Sequence, residues 1–144
     1  MSQKTILLIE DNQDDIDLTL RAFKKNHLLN EIIVIKDGAE VLEYLDNFHN
    51  PEMKDRTKPP TLILLDLKLP KIDGLEILKS IRSNTETKLI PVVILTSSLE
   101  EQDLIEGYLY GANSYIRKPV DFTKFLEAVH QLGMYWLLLN ETPQ

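Results

Sequence analysis

Thr61-Leu-Ile-Leu-Leu-Asp66-Leu-Lys-Leu-Pro70 is the stretch on which the fold turns. Four apolar residues, Leu62 to Leu65, run straight into one carboxylate, Asp66, and Pro70 and the turn pair Asp73-Gly74 follow. A short apolar run bounded by turn signals reads as a strand buried on both faces. Asp66 then stands at the C-terminal end of that strand, the edge of an open parallel sheet at which ligands bind. A lone Asp is equally at home capping a turn, so the remaining strands must decide between the two readings.

Working outward, the same pattern recurs. Ile6-Leu-Leu-Ile9 ends in Glu10-Asp11-Asn12, and Asp14 or Asp15 is placed to cap a helix carrying Ile16, Leu20 and Phe23 on one face. Glu31 to Lys36 is a β-branched strand, Asp37-Gly38 a turn, and Val41, Leu42, Leu45 and Phe48 one face of a second helix. The polar segment 49–60 holds three prolines and is longer than a usual connection, which marks it as a surface insertion or a partner-contact loop. Beyond the Asp66 strand, Leu75, Leu78 and Ile81 share a face of a helix over Gly74 to Asn84. Pro91 to Leu95 is a fourth strand ending at Thr96-Ser97-Ser98, where Ser98 is placed to cap a helix with Glu100, Glu101 and Asp103 in its first turn. Asn113 to Arg117 is a fifth, followed by Lys118-Pro119 and by a helix capped at Asp121 with Phe122, Phe125, Leu126, Val129, Leu132 and Trp136 on its apolar stripe. Five βα units predict an α/β fold with a parallel five-stranded sheet between two helix layers. The leading topology is the flavodoxin-like (βα)5 three-layer sandwich, order 2-1-3-4-5.

The bulk composition narrows the function. A chain of 144 residues fits a single domain over 1–144. The absence of cysteine removes disulfide and zinc-thiolate chemistry and suits a cytoplasmic location. A net charge of −7 argues against a nucleic-acid partner. The apolar run Met134–Leu139 falls far short of the ~20 residues of a spanning helix, so no membrane association is expected. His27, His49 and His130 lie away from the strand ends and read as surface or packing residues.

In the predicted topology the C-terminal ends of strands 1, 3, 4 and 5 meet. They carry Glu10 and Asp11, Asp66, Thr96 with Ser97, and Lys118. Three crowded carboxylates repel unless a cation sits among them, and an oxygen-only set with open positions suits Mg²⁺ (or Mn²⁺). Such a cation and one lysine together neutralise a phosphoryl group. Asp66 is then a carboxylate nucleophile able to form an aspartyl phosphate. Thr96 and the backbone N–H of Ser97 are placed to donate to phosphoryl oxygens.

Ile9-Glu10-Asp11-Asn12, Leu65-Asp66-Leu-Lys68-Leu-Pro70 with Asp73-Gly74, Leu95-Thr96-Ser97 and Tyr115-Ile-Arg-Lys118-Pro119 resemble the signature of two-component response regulator receiver domains, over roughly residues 4 to 132. The resemblance implies that Asp66 accepts phosphate from a partner histidine kinase. It implies cation ligation by Asp11, Asp66 and the backbone carbonyl of Lys68, with Glu10 acting through water. It further implies that Lys118 pairs with the phosphoryl group, that Thr96 and Tyr115 form the switch, and that the Lys118-Pro119 bond is cis. Lys68 and Ser98 occupy positions that the family uses to tune dephosphorylation.

Residues 133–144 read as a C-terminal extension. Met134-Tyr-Trp-Leu-Leu-Leu139 is apolar nearly all round, which predicts an interface. With Tyr108 and Tyr115 on the adjoining side, Tyr135, Trp136, Leu138 and Leu139 point to a homodimer. The proline-bearing loop and this tail are similar to single-domain regulators paired with phytochrome-type kinases. No output domain is foreseen, so the signal would pass by contact to an unidentified downstream protein. Two other readings stay open: a phosphorylation-independent pseudo-receiver, against which the full set of site residues argues, and an aspartyl-nucleophile phosphohydrolase, against which Lys68 argues, since haloacid-dehalogenase-like enzymes place an acid there.

Overall fold

The computed structural model describes residues 4–28, 30–47, 59–118 and 121–141. Five strands, β1 (Thr5–Ile9), β2 (Glu31–Ile35), β3 (Leu62–Leu65), β4 (Val92–Thr96) and β5 (Ser114–Arg117), alternate with α1 (Gln13–Lys25), α2 (Gly38–Asn47), α3 (Gly74–Ser83), α4 (Glu101–Leu109) and α5 (Phe122–Leu132). The strands pair in parallel in the order β2-β1-β3-β4-β5, as the sequence predicts. Phe48, most of the loop over 49–60, and Pro119 fall outside the described residues, and with Pro119 goes the predicted cis bond.

The period-2 geometry of a strand divides the apolar residues between two cores. Leu7, Ile9, Ile63, Leu65, Val92 and Ile94 face α2 and α3, packing with Val41, Leu45, Leu75 and Leu78. Ile6, Leu8, Leu62, Leu64, Val93 and Leu95 face α1 and α5, packing with Ile16, Phe23, Phe125 and Val129. Both faces of β1, β3 and β4 are therefore covered, which is why these strands read as unbroken apolar runs rather than as alternating ones.

Several local expectations are corrected. The N-cap of α1 is Asn12, whose Oδ1 accepts the Asp15 N–H at 3.0 Å. In a run of four polar residues any could cap, and Asn directly before the first helical residue does so. Leu20 is solvent-exposed; the buried positions of α1 are Ile16, Thr19, Ala22 and Phe23. Thr19 tolerates burial because its hydroxyl donates to the Asp15 carbonyl one turn back, at 2.8 Å. The N-cap residue of α4 is Glu100, which makes no side-chain cap bond; Ser98 Oγ accepts only the Glu100 N–H, at 3.3 Å, before the helix begins.

α1 ends in a Schellman arrangement. Leu28 N–H reaches the Phe23 carbonyl at 2.9 Å, His27 N–H reaches that of Lys24 at 3.0 Å, and His27 sits in the left-handed region at φ 58°. His27 is exposed and bears that conformation without evident return. His27→Gly is expected to raise stability by about 0.5–1 kcal/mol in urea unfolding.

Arg82, a residue with no distinguishing mark in the sequence, fastens the edge of the sheet opposite the strand C-termini. Its guanidinium donates to the carbonyls of Gly111 (2.9 Å), Lys88 (3.1 Å) and Ile90 (2.7 Å) and to Asn113 Oδ1 (2.8 Å). Asn113 Oδ1 in turn accepts the Val92 N–H at 2.9 Å. The end of α3, the entry to β4 and the entry to β5 are thus tied to one planar group.

A π-helical stretch, Gly133–Leu139, continues α5. Leu137 is buried, and Trp136 packs half-buried against the α1/α5 core, in keeping with its predicted place on the apolar stripe. Tyr135, Leu138 and Leu139 do remain exposed.

Candidate functional site

The sheet ladder runs one residue past the strands and carries the polar residues with it. Glu10 N–H bonds to the Ile35 carbonyl at 3.1 Å, Asp66 N–H to that of Ile9 at 3.0 Å, and Lys118 N–H to that of Thr96 at 2.8 Å. The residues at the strand ends are therefore fixed by backbone bonds, not by loop packing. Glu10 and Asp66 are buried and Asp11 is exposed, and carboxylate oxygens from the three lie within 4.8 Å of one another. This is the one such acidic or metal-ligating cluster found among the described residues.

Lys118 enters the cluster from β5. Its ammonium contacts Glu10 Oε1, Asp15 Oδ2 at 2.9 Å and Asp66 Oδ2 at 3.4 Å. Asp15, a candidate helix cap by its sequence position, is instead a neighbour of the site. With Asn12 as the cap, its carboxylate is free to reach Lys118. Burial alone would lower the Lys118 ammonium, but its bonds to Glu10 and Asp15 and the Asp66 and Glu10 charges outweigh that and hold it above its ordinary value.

The acids outnumber the cation, and Glu10 shows the result. Burial first, then its contact with Asp66, push its carboxyl up to about 8, against the pull of Lys118. A buried oxygen cluster that retains a proton at neutral pH fits a hard divalent cation, which would take that proton's place. Cation uptake at pH 7 is expected to release close to one proton. Affinity should rise with pH up to about 8 and level off above it, because only the ionised Glu10 is compatible with the bound charge. Calorimetry of Mg²⁺ binding in buffers of different ionisation enthalpy measures this directly; uptake without proton release contradicts it.

Asp66 Oδ1 also accepts the Lys68 N–H at 3.2 Å, which sets the turn that would present the Lys68 carbonyl. Gly74, first residue of α3, has its N–H on the Leu67 carbonyl at 3.2 Å, and a Cβ there would lie 2.6 Å from the Asp66 backbone oxygen. The Asp73-Gly74 pair is thus a close-approach point pressed against the acceptor strand, with Asp73 Oδ1 capping α3 at the Leu75 N–H (3.0 Å). Thr96 is fully buried at the end of β4, and its Oγ accepts the Ser98 N–H at 3.2 Å; Ser97 is exposed beside it.

Tyr115, on β5, packs against Gly107 of α4, where a Cβ would come within 3.2 Å of its ring. Its hydroxyl is buried and forms no hydrogen bond of ordinary geometry among the described residues. Burial and the nearby Asp103 charge hold the phenol above its ordinary value, against a smaller pull from Ser98. Ser98 Oγ donates to Asp103 Oδ2 at 2.6 Å, and the Lys68 ammonium lies 3.4 Å from the same oxygen. The sequence marks Asp103 only as a helix-dipole charge; the fold brings it to the rim of the crevice. Among the predicted interface residues Tyr108 is exposed, and so are Leu109 and Ile105 beside it, forming a stripe. The stripe is legible as i, i+3, i+4 apolar spacing on α4.

Comparison with known proteins agrees with this arrangement. Residues 6–130 match the response regulator receiver domain family. The chain is 38% identical over 138 residues to the probable methanogenesis regulatory protein FilR2 of Methanothrix harundinacea, across 96% of this chain and 86% of that protein. It is 37% identical over 134 residues to response regulator Rcp1 of Synechocystis sp., across 93% and 89%. The Mn²⁺-bound form of Rcp1 superposes with a TM-score of 0.85 at 35% identity over 98% of this chain and 99% of that one. The phosphorylated cyanobacterial phytochrome response regulator RcpA superposes with a TM-score of 0.88 at 36% identity, over 99% of this chain and all (100%) of that one. Among the described residues no helix is long and apolar enough to cross a membrane. With its five-stranded parallel sheet, its acid–lysine cluster at the strand ends and a match over most of its length, the chain belongs to the response regulator receiver domain family.

Proposed function

We propose that this protein is a phosphoacceptor response regulator, switched by transfer of a phosphoryl group from a partner histidine kinase to Asp66. The observation that carries the reading is the meeting of Asp66 with Lys118, at 3.4 Å, inside a three-carboxylate cluster at the carboxyl edge of the sheet. A carboxylate oxygen of Asp66 attacks phosphorus, the P–N bond of the donor phosphohistidine breaks, and its imidazole leaves. Asp11, Asp66 and the Lys68 carbonyl, with Glu10 acting through water, would hold Mg²⁺ or Mn²⁺, which would supply positive charge to the transferring phosphoryl oxygens. Lys118 neutralises one of those oxygens once the phosphoryl group displaces its carboxylate contacts. Thr96 and the Ser97 N–H are at hand for the others.

The likeness to RcpA and Rcp1 supports a phytochrome-type kinase as donor. A signalling role in the cytoplasm, with a homodimer and a further protein as recipients, is part of the same reading. The apolar exposure of Ile105, Tyr108 and Leu109 on α4, and of Tyr135, Leu138 and Leu139 beyond α5, supports the dimer. Lys68, where a phosphohydrolase of the haloacid-dehalogenase type would need an acid, disfavours turnover as the function.

Incubation with acetyl phosphate and Mg²⁺ is expected to add one phosphoryl group, base-labile and mapping to Asp66 by mass spectrometry. Light scattering on the same samples is expected to show a dimer favoured by phosphorylation. No adduct, even with a cognate kinase, would leave the protein a phosphorylation-independent binding module. Rapid multiple turnover of phosphate esters would make it a hydrolase, and a monomer in both states would remove the dimer.

A further inference from the structure

Asp103, in the first turn of α4, is not a member of the acceptor cluster, yet three groups around the crevice converge on it. The Ser98 hydroxyl donates to its Oδ2 at 2.6 Å, the Lys68 ammonium stands 3.4 Å from the same oxygen, and Tyr115, its hydroxyl buried, packs its ring against Gly107, one turn along α4 from Asp103. Lys68 belongs to the loop after β3, Ser98 to the turn after β4, and Tyr115 to β5. One carboxylate therefore touches or faces all three segments that flank Asp66 on that side of the sheet.

The contacts differ in strength. Ser98 is buried, and its bond to an ionised carboxylate is short. The Lys68 side chain is 54% exposed and spans an open groove of about 250 Å³ lined by Leu67, Leu69, Lys71, Asp73 and Asp103 together with Lys68 itself. An ion pair over solvent, with one partner half-exposed, is the weaker contact and the one that yields. The Asp103 side chain is only 14% exposed, so losing Lys68 leaves a poorly hydrated carboxylate near a buried phenol whose neighbouring hydroxyl, that of Ser98, already donates to Asp103.

We propose that Asp103 is a positioning residue that couples the crevice to the α4–β5 face: Lys68 holds it at rest, and it passes to the Tyr115 hydroxyl when a phosphoryl group on Asp66 draws Lys68 away. The release step rests on the phosphoacceptor reading above; the hold at rest does not. No bond to Asp66 is made or broken by Asp103, so phosphoryl uptake itself does not require it.

The test is ¹⁹F NMR of the full chain labelled with 3-fluorotyrosine, the Tyr115 resonance being assigned by Tyr115→Phe. In the wild type, acetyl phosphate with Mg²⁺ is expected to shift that resonance. Lys68→Met is expected to move it in the same direction with no phosphodonor present. Asp103→Asn is expected to form the adduct and yet leave the resonance where it was. A Lys68→Met resonance at the resting wild-type position overturns the hold by Lys68, whatever happens at Asp66. An Asp103→Asn protein whose Tyr115 still responds as in the wild type overturns the coupling. A wild type that takes up no phosphoryl group overturns the proposed function and the release with it, whereas a phosphorylated wild type with an unmoved Tyr115 overturns the release alone.

Discussion

Asp66→Asn is expected to abolish phosphoryl uptake while making the cation-free protein slightly more stable. The amide has no nucleophilic carboxylate oxygen, so no adduct forms. The stability gain follows from the charge balance. Glu10, Asp15 and Asp66 all face the single ammonium of Lys118, with Asp11 close by. Removing one negative charge relieves the repulsion that adds to burial and the Asp66 contact in holding the Glu10 carboxyl up. Lys118 retains Glu10 and Asp15, so no buried charge is stranded. The gain should be about 1 kcal/mol in urea unfolding without divalent ions. Mg²⁺ should then reverse the order of the two proteins. At about ten times its dissociation constant a cation stabilises the wild type by about 1.4 kcal/mol, and the variant, short of one ligand, gains much less. A variant less stable than the wild type in EDTA would show that Asp66 is held by its contacts more than it is opposed by its neighbours.

Gly74→Ala is expected to cost about 2–4 kcal/mol and to weaken cation binding at the same time. Two smaller effects oppose the loss. Alanine favours a helix over glycine and has less freedom to lose on folding, together about 1 kcal/mol. The steric term outweighs them. The new Cβ would lie 2.6 Å from the Asp66 backbone oxygen and 2.6 Å from Leu67 Cα, where ordinary contact begins near 3.4 Å. Both obstacles are backbone, and that backbone is the segment from which the Asp66 carboxylate and the Lys68 carbonyl are presented. Gly133 provides the control, since the atoms nearest a Cβ there are all in the Leu28 side chain, Cδ1 closer than either obstacle at Gly74, and a side chain can rotate where backbone cannot. Gly133→Ala should therefore cost less and leave cation binding as it was. Equal losses of cation affinity in the two variants would show that the effect is not local to the acceptor strand.

The sheet is legible in the sequence because every strand but β2 and β5 is buried on both faces and so is written as a continuous apolar run. The acceptor cluster is legible for a related reason: each of its residues directly follows or ends such a run, and the topology brings those ends together. What escapes such a reading are the partners chosen by tertiary contact. Asp15 resembles a cap because Asn12, Asp14 and Asp15 are interchangeable as local hydrogen-bond acceptors, and only the position of Lys118 separates them. Leu20 fits a buried face because helical spacing admits it as readily as Thr19, and the fit against α5 decides. Arg82 lies in an amphipathic helix among other charges, with nothing local to show that three carbonyls and an amide wait for it. Trp136 reads both as part of the apolar stripe and as an interface residue because an all-apolar run has no periodicity that marks its buried side.

The guanidinium of Arg82 also decides how α4 is mounted. At the C-terminal end of that helix the Gly111 carbonyl and Asn113 are bound to Arg82, and the Ala112 N–H bonds to the Gly107 carbonyl at 2.9 Å. At the N-terminal end Glu100 provides no side-chain cap, and the link to the crevice runs through Asp103. A rod fastened at one end by backbone carbonyls and tethered at the other only through side chains, Asp103 and the exposed Glu101–Arg117 pair at 3.1 Å, is a lever with a fixed pivot. Any displacement of α4 is therefore smallest beside Arg82 and largest beside Asp66, and the exposed stripe of Ile105, Tyr108 and Leu109 turns with it.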